Sequence, residues 1–440
     1  MNQVKRIFAK DCNSHNFIFD DFAESILIGS YDSLLREGVS EAVIARWRGA
    51  LIWLVSSLYD AHCHDLKSVI LPLGKKNFSG AKFGEQATKT ALGLLEKDAW
   101  VIKKTAKAGL RVDLASEIYT TTKLRKLFKR TGFVWTHREY DKTKEVVIVR
   151  EKDDFLLGRV TVPTPNNNTA RNMRKHTHEI NIKTSEFAIF PYLPDPIIKQ
   201  LINGTDKKFC NFSNVTYRRI FAKGRLDKGG RFYGGWWQQI PSGYRSFIRI
   251  DGEPTVELDF GATVVTLLYS MRKVPLPPDP YDLGINPKGD PQIRDIIKMF
   301  IIAWLYSSRQ YGLAKDELAI LGLSQKELRN LVKEKHHLIK DDFGTGVGLG
   351  LMFTESKIAR RILMKMLVKN IPVLGIHDGF ITQAKHRDFL CKTMMDSFKF
   401  VTGINPVIKP VTSNVRLRKG SYKMYDHYHS IFHSMSRRSA

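Results

Sequence analysis

Apolar and polar positions along this chain change rhythm several times. From residue 20 to 70 and again from 85 to 108, Ala, Leu and Ile recur at helical spacing, with Trp47 and Trp53 as core candidates and a glycine-rich, polar break from Gly74 to Gly84. The pattern then predicts a helix over Leu114 to Tyr119 and a basic helix over Lys123 to Arg130. Two strands follow, Phe133 to Glu139 and Glu145 to Val149, joined by Asp141 to Lys144. Residues 152 to 180 read as a linker: Pro163, Pro165, Asn166 to Asn168 and a basic run through Arg171, Arg174 and Lys175. Further on, alternation over Thr255, Val256, Glu257 and Leu258 predicts a buried strand ending at Asp259. The apolar stretches Pro372 to Ile376 and Phe380 to Thr382 predict a hairpin with His377, Asp378 and Gly379 at its turn. Between them, Arg294, Lys298, Ile302 and Tyr306 recur at i, i+4, i+8 and i+12, one slowly drifting ridge of a helix. The organisation expected is an N-terminal region over 1–151, a linker and bridging segment over 152–214 and a core over 215–440.

The candidate chemistry lies in that core. Nucleotidyl transfer gives a protein little covalent work, so catalysis rests on positioning and on metal ions that clamp the attacking and leaving oxygens. Mg²⁺ keeps several waters and takes only one or two protein carboxylates, so Asp259 and Asp378 suffice if they meet in space. The ridge can hold triphosphate oxygens at its cationic end and pack a base at the other. Each piece also has a plainer reading. A lone aspartate after a strand is usually a turn or cap residue, Arg and Lys four apart usually form a solvated face, and Gly229 to Trp237 could be a glycine-rich turn beside packed aromatics.

Taken in order, the pieces resemble motifs A, B and C of family A DNA polymerases and of the single-subunit RNA polymerases of phages and mitochondria. Arg-x3-Lys-x7-Tyr lies on a helix between an aspartate at a strand end and His-Asp in a hairpin, and Asp227-Lys-Gly-Gly-Arg231-Phe-Tyr233-Gly is similar to the template-contacting segment that precedes motif A in the RNA polymerases. The resemblance covers roughly residues 215 to 415 and implies an α+β right-hand fold, an antiparallel palm sheet with helical fingers around 290 to 345. It makes Asp259 and Asp378, with the Phe260 carbonyl, ligands of two Mg²⁺ ions, Mn²⁺ being an alternative. Arg294 and Lys298 become phosphate ligands, Lys298 also a proton donor to pyrophosphate. Tyr306 and Ile302 fall near the nascent base pair, and His377 near the growing 3′ end. Arg231 and Tyr233, with Arg218 and Arg219 just upstream, become template contacts. Departures from the pattern are Val264 where family A DNA polymerases carry a glutamate, Ile302 in place of an aromatic, and Gly379 in place of an acid, all leaning towards the RNA polymerase branch. Ser307 replaces the usual glycine after Tyr306. The implied partners are a DNA template, an RNA or DNA primer and nucleoside triphosphates. RNA polymerase or primase and DNA polymerase remain open, as does a non-catalytic replication initiator or repressor built on the same fold.

Charge and composition agree with a nucleic-acid partner. The chain has 440 residues, 43% hydrophobic and 11% aromatic, enough for two or three domains, and its formal net charge of +26 calls for a polyanion. Apolar runs around Leu51 to Leu58 and Met299 to Leu305 are too short to span a bilayer, and the N-terminus lacks the apolar stretch of a secretory signal, so a cytoplasmic protein without a membrane partner is expected. The 4 cysteines, Cys12, Cys63, Cys210 and Cys391, have no CxxC spacing, which argues against a disulfide framework or zinc ribbon. Helix, basic helix and hairpin over 114 to 149 resemble a winged helix-turn-helix, with Lys126, Lys129 and Arg130 on a phosphate path. A charged solvated helix beside an ordinary hairpin fits those residues equally. A reduced polymerase core of this size would suit a phage or mobile-element replication protein.

Overall fold

In the computed structural model, which describes residues 4–6, 15–17, 38–63, 68–72, 84–105, 115–130, 138–140, 142, 144–153, 158–203, 210, 212, 214–417, 420–423 and 425, the chain divides into two units. The first comprises Met1–Lys144, Leu193–Asn214 and Arg418–Ala440; the second comprises Glu145–Tyr192 and Val215–Leu417.

The first unit contains β1 (Val4–Arg6), β2 (His15–Phe17), α1 (Glu41–Cys63), β3 (Ser68–Pro72), α2 (Glu85–Lys97), β4 (Val101–Thr105), β5 (Ala115–Thr120), α3 (Thr122–Arg130) and β6 (Arg138–Tyr140). Trp53 is buried on α1, whereas Trp47 is only half-buried. A sheet runs in the order β1-β3-β5-β4, and β2 pairs with β6. This corrects the winged-helix expectation. Ser116, Ile118 and Thr120 are buried while Glu117 and Tyr119 are partly exposed, a period of two, and β5 is accordingly a strand where a helix was expected. Nor do the strands that would make the wing pair with each other: β6 joins β2, and the strand beginning at Val147 belongs to the second unit. The basic helix does form. Leu124 and Phe128 of α3 are buried, Phe128 meeting Tyr59 edge-on at 5.0 Å, and Lys126 is exposed. The side chains of Lys129 and Arg130, and residues 131–137, lie outside the described residues.

The second unit opens with β7 (Val147–Asp153), β8 (Gly158–Val162) and α4 (Asn168–Ser185) where the composition suggested a linker. The asparagines and prolines there are punctuation between elements. Asn167 caps α4, its side chain accepting from the Ala170 amide at 2.9 Å, and Ala170, Met173, Thr177 and Ile180 form a buried stripe. Asn181, fully buried on the same helix, exchanges two hydrogen bonds with the Tyr217 backbone, at 2.7 and 2.8 Å. Buried amides must be paired, so this clamp fixes the chain where it enters the strand Arg218–Phe221.

After β9 (Ile189–Pro191) come β10 (Arg218–Phe221) and β11 (Gly229–Tyr233), a hairpin that completes a sheet of order β11-β10-β7-β8 around Val147, Val149, Met173 and Phe221. Further along the second unit come β12 (Ile248–Ile250), β13 (Glu253–Phe260), α5 (Thr263–Arg272), α6 (Pro291–Tyr306), α7 (Lys315–Leu321), α8 (Gln325–Lys335), α9 (Gly348–Val368), β14 (Val373–Ile376), β15 (Gly379–Gln383), α10 (Arg387–Thr402) and β16 (Ile408–Pro410). They build an antiparallel sheet of order β14-β15-β13-β12-β9, with β16 on the other edge of β13 at its end. Leu258 and Phe260 of β13 point into the core, where the Phe260 ring meets Phe380 of β15 at 6.4 Å and Phe398 of α10 at 5.1 Å. Strand alternation then puts Thr255, Glu257 and Asp259 on the opposite face.

Candidate active site

Asp259 lies across from Gly379 on β15 and from Lys409 on β16, and the β14–β15 hairpin turns through His377 and Asp378 immediately before Gly379. Register therefore brings the two aspartates together. His377 adopts φ +59°, a left-handed conformation that lets the strands reverse in so short a turn. After Phe260 the chain turns into α5, where the Thr263 hydroxyl donates to Asp378 Oδ2 at 2.7 Å. Burial, then the neighbouring charges of Asp378 and Glu257, push the Asp259 carboxyl up to about 7, with Lys298 opposing. Asp259 Oδ1 is buried and has no hydrogen-bond partner among the described residues. No group of three or more His, Cys, Asp or Glu able to hold a metal occurs among them.

Arg294, Lys298, Ile302 and Tyr306 share one face of α6. Arg294 and Lys298 are exposed and Ile302 and Tyr306 partly so, whereas Ile297, Phe300, Ile301, Trp304 and Leu305 are buried on the other side. Asp290 caps the helix by accepting from the Gln292 amide, and Pro291 fits its first turn. Arg294 does not stand free: both its terminal nitrogens pair with Asp279, at 2.7 and 3.0 Å. Tyr306 is roofed by α9, for a Cβ at Gly348 would lie 2.6 Å from its ring. Gly348→Ala is therefore expected to cost about 1–3 kcal/mol of overpacking. Gly350→Ala, which would meet only the tip of Lys228 at 3.5 Å, should stay within about 0.5 kcal/mol of the parent. Chemical denaturation of the two variants checks both values.

The glycine- and aromatic-rich segment has a structural role. Trp236 and Trp237 are fully buried, and Trp237 Nε1 and Gln238 Nε2 donate to the Gly375 carbonyl at 3.1 and 2.9 Å, while the Gly375 amide donates to the Tyr217 hydroxyl at 2.7 Å. These bonds satisfy the outer edge of β14 and so hold the turn that carries Asp378. Arg219, expected on the nucleic-acid surface, is only 3% exposed; its guanidinium donates to the Gly230 carbonyl and the Ser356 hydroxyl, both at 2.9 Å, so it serves the core. Arg218 is half-buried on β10. Arg231 is bound through two nitrogens to Glu355 of α9, at 2.7 and 2.6 Å. Tyr233 meets the His377 ring edge-on at 5.2 Å. Burial, then the nearby Arg231 charge, holds His377 down at about 4. At neutral pH it is an uncharged ring whose Nδ1 is buried without a hydrogen-bond partner among the described residues. Burial pushes the Tyr306 hydroxyl up to about 12. Val264 is buried on the first turn of α5.

Thr263, Asp279, Gly348 and Glu355 escaped the sequence reading. Glu355 had a signal, being an acid on the otherwise apolar stripe Leu351, Ile358 and Ile362 of α9. Asp279, in a loop, had none.

No family model and no curated protein matches the chain. Among solved structures it is similar to the POL domain of Pol1 from M. smegmatis in complex with DNA primer-template and dNTP, with a TM-score of 0.33 and 11% identity over 82% of this chain. The chain spans 65% of the length of that structure. No helix among the described residues is long and apolar enough to cross a membrane.

Proposed function

We propose that the chain is a template-directed nucleotidyltransferase, a polymerase or primase of the right-hand type, with β13 to β15 as its palm and α6 to α8 as its fingers. One observation carries the reading: Asp259 at the end of β13 and Asp378 in the β14–β15 turn come to neighbouring positions where their charges repel, and Asp259 keeps a buried oxygen without a hydrogen-bond donor among the described residues. Repelling carboxylates with spare lone pairs fit a divalent cation, and the site offers the number of acids that Mg²⁺ takes when phosphates complete its shell. Asp259 and Asp378, with the Phe260 carbonyl, would hold Mg²⁺ or Mn²⁺. When bound, such ions supply Lewis-acid activation of a 3′-hydroxyl and charge neutralisation on the phosphates.

The rest falls to the chain's own groups. Lys298, close enough to Asp259 to be felt by it, would bind the triphosphate and protonate the leaving pyrophosphate. Thr263 fixes the rotamer of Asp378 through its hydrogen bond. His377, neutral at physiological pH, would accept or donate a hydrogen bond at the 3′ end without repelling a cation. Arg294 would exchange Asp279 for phosphate oxygens, so Asp279 competes with the nucleotide. Since an exposed pair of this kind contributes about 0.2–1 kcal/mol, Asp279→Asn should lower the nucleotide KM by about 1.4- to five-fold in steady-state extension assays.

The test is extension of a labelled primer on single-stranded DNA with Mg²⁺, deoxy- and ribonucleotides in parallel, a primer-free lane, and Asp378→Ala as control. Extension by the parent alone supports the proposal, and the preferred nucleotide and primer requirement choose among DNA polymerase, RNA polymerase and primase. No synthesis in any lane with equal DNA binding by both proteins would replace it with a non-catalytic nucleic-acid-binding protein.

A further inference from the structure

His336, the residue that ends α8, is fully buried, and nothing in the proposed chemistry uses it. Its Nε2 lies 2.9 Å from the Pro280 carbonyl, and its Nδ1 lies 2.9 Å from the Tyr269 hydroxyl. A carbonyl can only accept, so the ring proton sits on Nε2 and Nδ1 accepts from the tyrosine. Burial holds the ring down at about 4, so it is uncharged at neutral pH. Both nitrogens are committed, as a buried imidazole requires.

The two bonds lead to different parts of the proposed site. Tyr269 lies on α5, whose first turn carries Thr263 and its bond to Asp378. The same helix is tied a second time to the segment after α8, where Arg272 Nε donates to Asp342 Oδ2 at 2.9 Å. Pro280 follows Asp279, the carboxylate that holds Arg294 through two nitrogens. Asp279 Oδ1 also accepts from the Tyr281 amide at 3.0 Å, and the Arg294 guanidinium lies 5.8 Å from the centre of the buried Tyr281 ring. The chain from 273 to 290 contains neither helix nor strand, so its placement falls to side-chain bonds of this kind. An exposed ion pair gives little, because holding two side chains in one geometry costs entropy that offsets the attraction. Fixing the backbone beside one partner beforehand removes part of that cost.

We propose that His336 is a positioning residue for the nucleotide: by tying the Pro280 carbonyl to α5 it presets Asp279 against Arg294, and so sets how strongly an incoming triphosphate must compete for that arginine. The inference rests on the polymerase reading. It places control of the phosphate-binding arginine in a residue closed to solvent, which acts through Asp279 and touches no substrate.

The experiment is steady-state extension by His336→Phe, His336→Gln and Asp279→Asn, and by His336→Phe combined with Asp279→Asn, with folding checked by circular dichroism. His336→Phe keeps a ring without a donor, whereas His336→Gln keeps an amide N–H for Pro280. His336→Phe should lower the nucleotide KM by up to about five-fold, the limit set by Asp279→Asn, with kcat and the primer-template KM unchanged. His336→Gln should keep the parent's value. In the Asp279→Asn background His336→Phe should change nothing further, since two changes acting through one pair are not additive. The Arg272–Asp342 pair still joins α5 to the segment after α8 in every variant. Should His336→Phe nevertheless not fold, Tyr269→Phe removes only the hydroxyl that orients the ring and should shift the nucleotide KM in the same direction. The inference fails if the folded variant has the parent's nucleotide KM, if its shift persists in the Asp279→Asn background, if His336→Gln shifts it equally, or if the primer-template KM moves as well. Extension by the parent in those cases leaves the polymerase reading standing. If the parent extends no primer, that reading fails and takes the inference with it.

Discussion

Asp259→Asn and Asp378→Asn are each expected to reduce primer extension by at least about 10³-fold, because metal-assisted charge stabilisation contributes several kcal/mol and each 1.36 kcal/mol is about ten-fold in rate. The same change at Asp259 should make the protein more stable at pH 7.5. Burial and the charges of Asp378 and Glu257 raise its carboxyl from 3.8 to about 7, so between those pH values the folded protein holds more protons than the unfolded chain. Stability must then fall as pH rises through that window, with the full cost of the charge present above it. Asparagine carries no such cost. The melting temperature of Asp259→Asn should exceed that of the parent by several degrees at pH 7.5 and by little near pH 4. Added Mg²⁺ should narrow the gap by stabilising the parent alone. Thermal unfolding across pH, with and without Mg²⁺, reads all of this. Full extension by Asp259→Asn would sink the assignment, and a less stable variant would mean that the acid serves the fold.

Strand and helix periodicity in the core was readable because those segments have one wet face and one dry one. Alternation over β13 and the ridge of α6 follow from that contrast, the hairpin around His377 follows from two short apolar runs about a polar turn, and the meeting of Asp259 with Asp378 follows from antiparallel register. The N-terminal region was misread where the period was short. Ala115 to Thr120 spans too few residues for helical spacing to be told from alternation without knowing which sheet receives it, and β3 and β4 supply that sheet from distant sequence. Polar punctuation misled in the same way, since Asn167 is a helix cap and not linker. Among the expected site residues, exposure on α6 was legible. The partners of Arg219, Arg231 and Arg294 were not, because Ser356, Glu355 and Asp279 reach them through tertiary contacts that sequence spacing does not encode.

Arg231→Met should be the most destabilising single change at the site, by about 3–5 kcal/mol, because it strands Glu355, 3% exposed, without its ion-pair partner. Burial already pushes the Glu355 carboxyl up to about 7 while Arg231 opposes, so removing the guanidinium raises it further. A carboxyl raised above its ordinary value of 4.5 destabilises the fold once it ionises, and the loss in Arg231→Met should therefore be smaller at pH 6 than at pH 8.5. The double variant Arg231→Met with Glu355→Leu replaces the pair by apolar groups and should recover most of the stability. Urea denaturation at the two pH values measures both effects. With the fold restored, the double variant also separates the roles of Arg231. Extension at the parent's rate would make the Arg231–Glu355 pair a strut between β11 and α9. A stable but slow enzyme with a raised template KM would mean that Arg231, besides joining those elements, meets the nucleic acid as the resemblance implies.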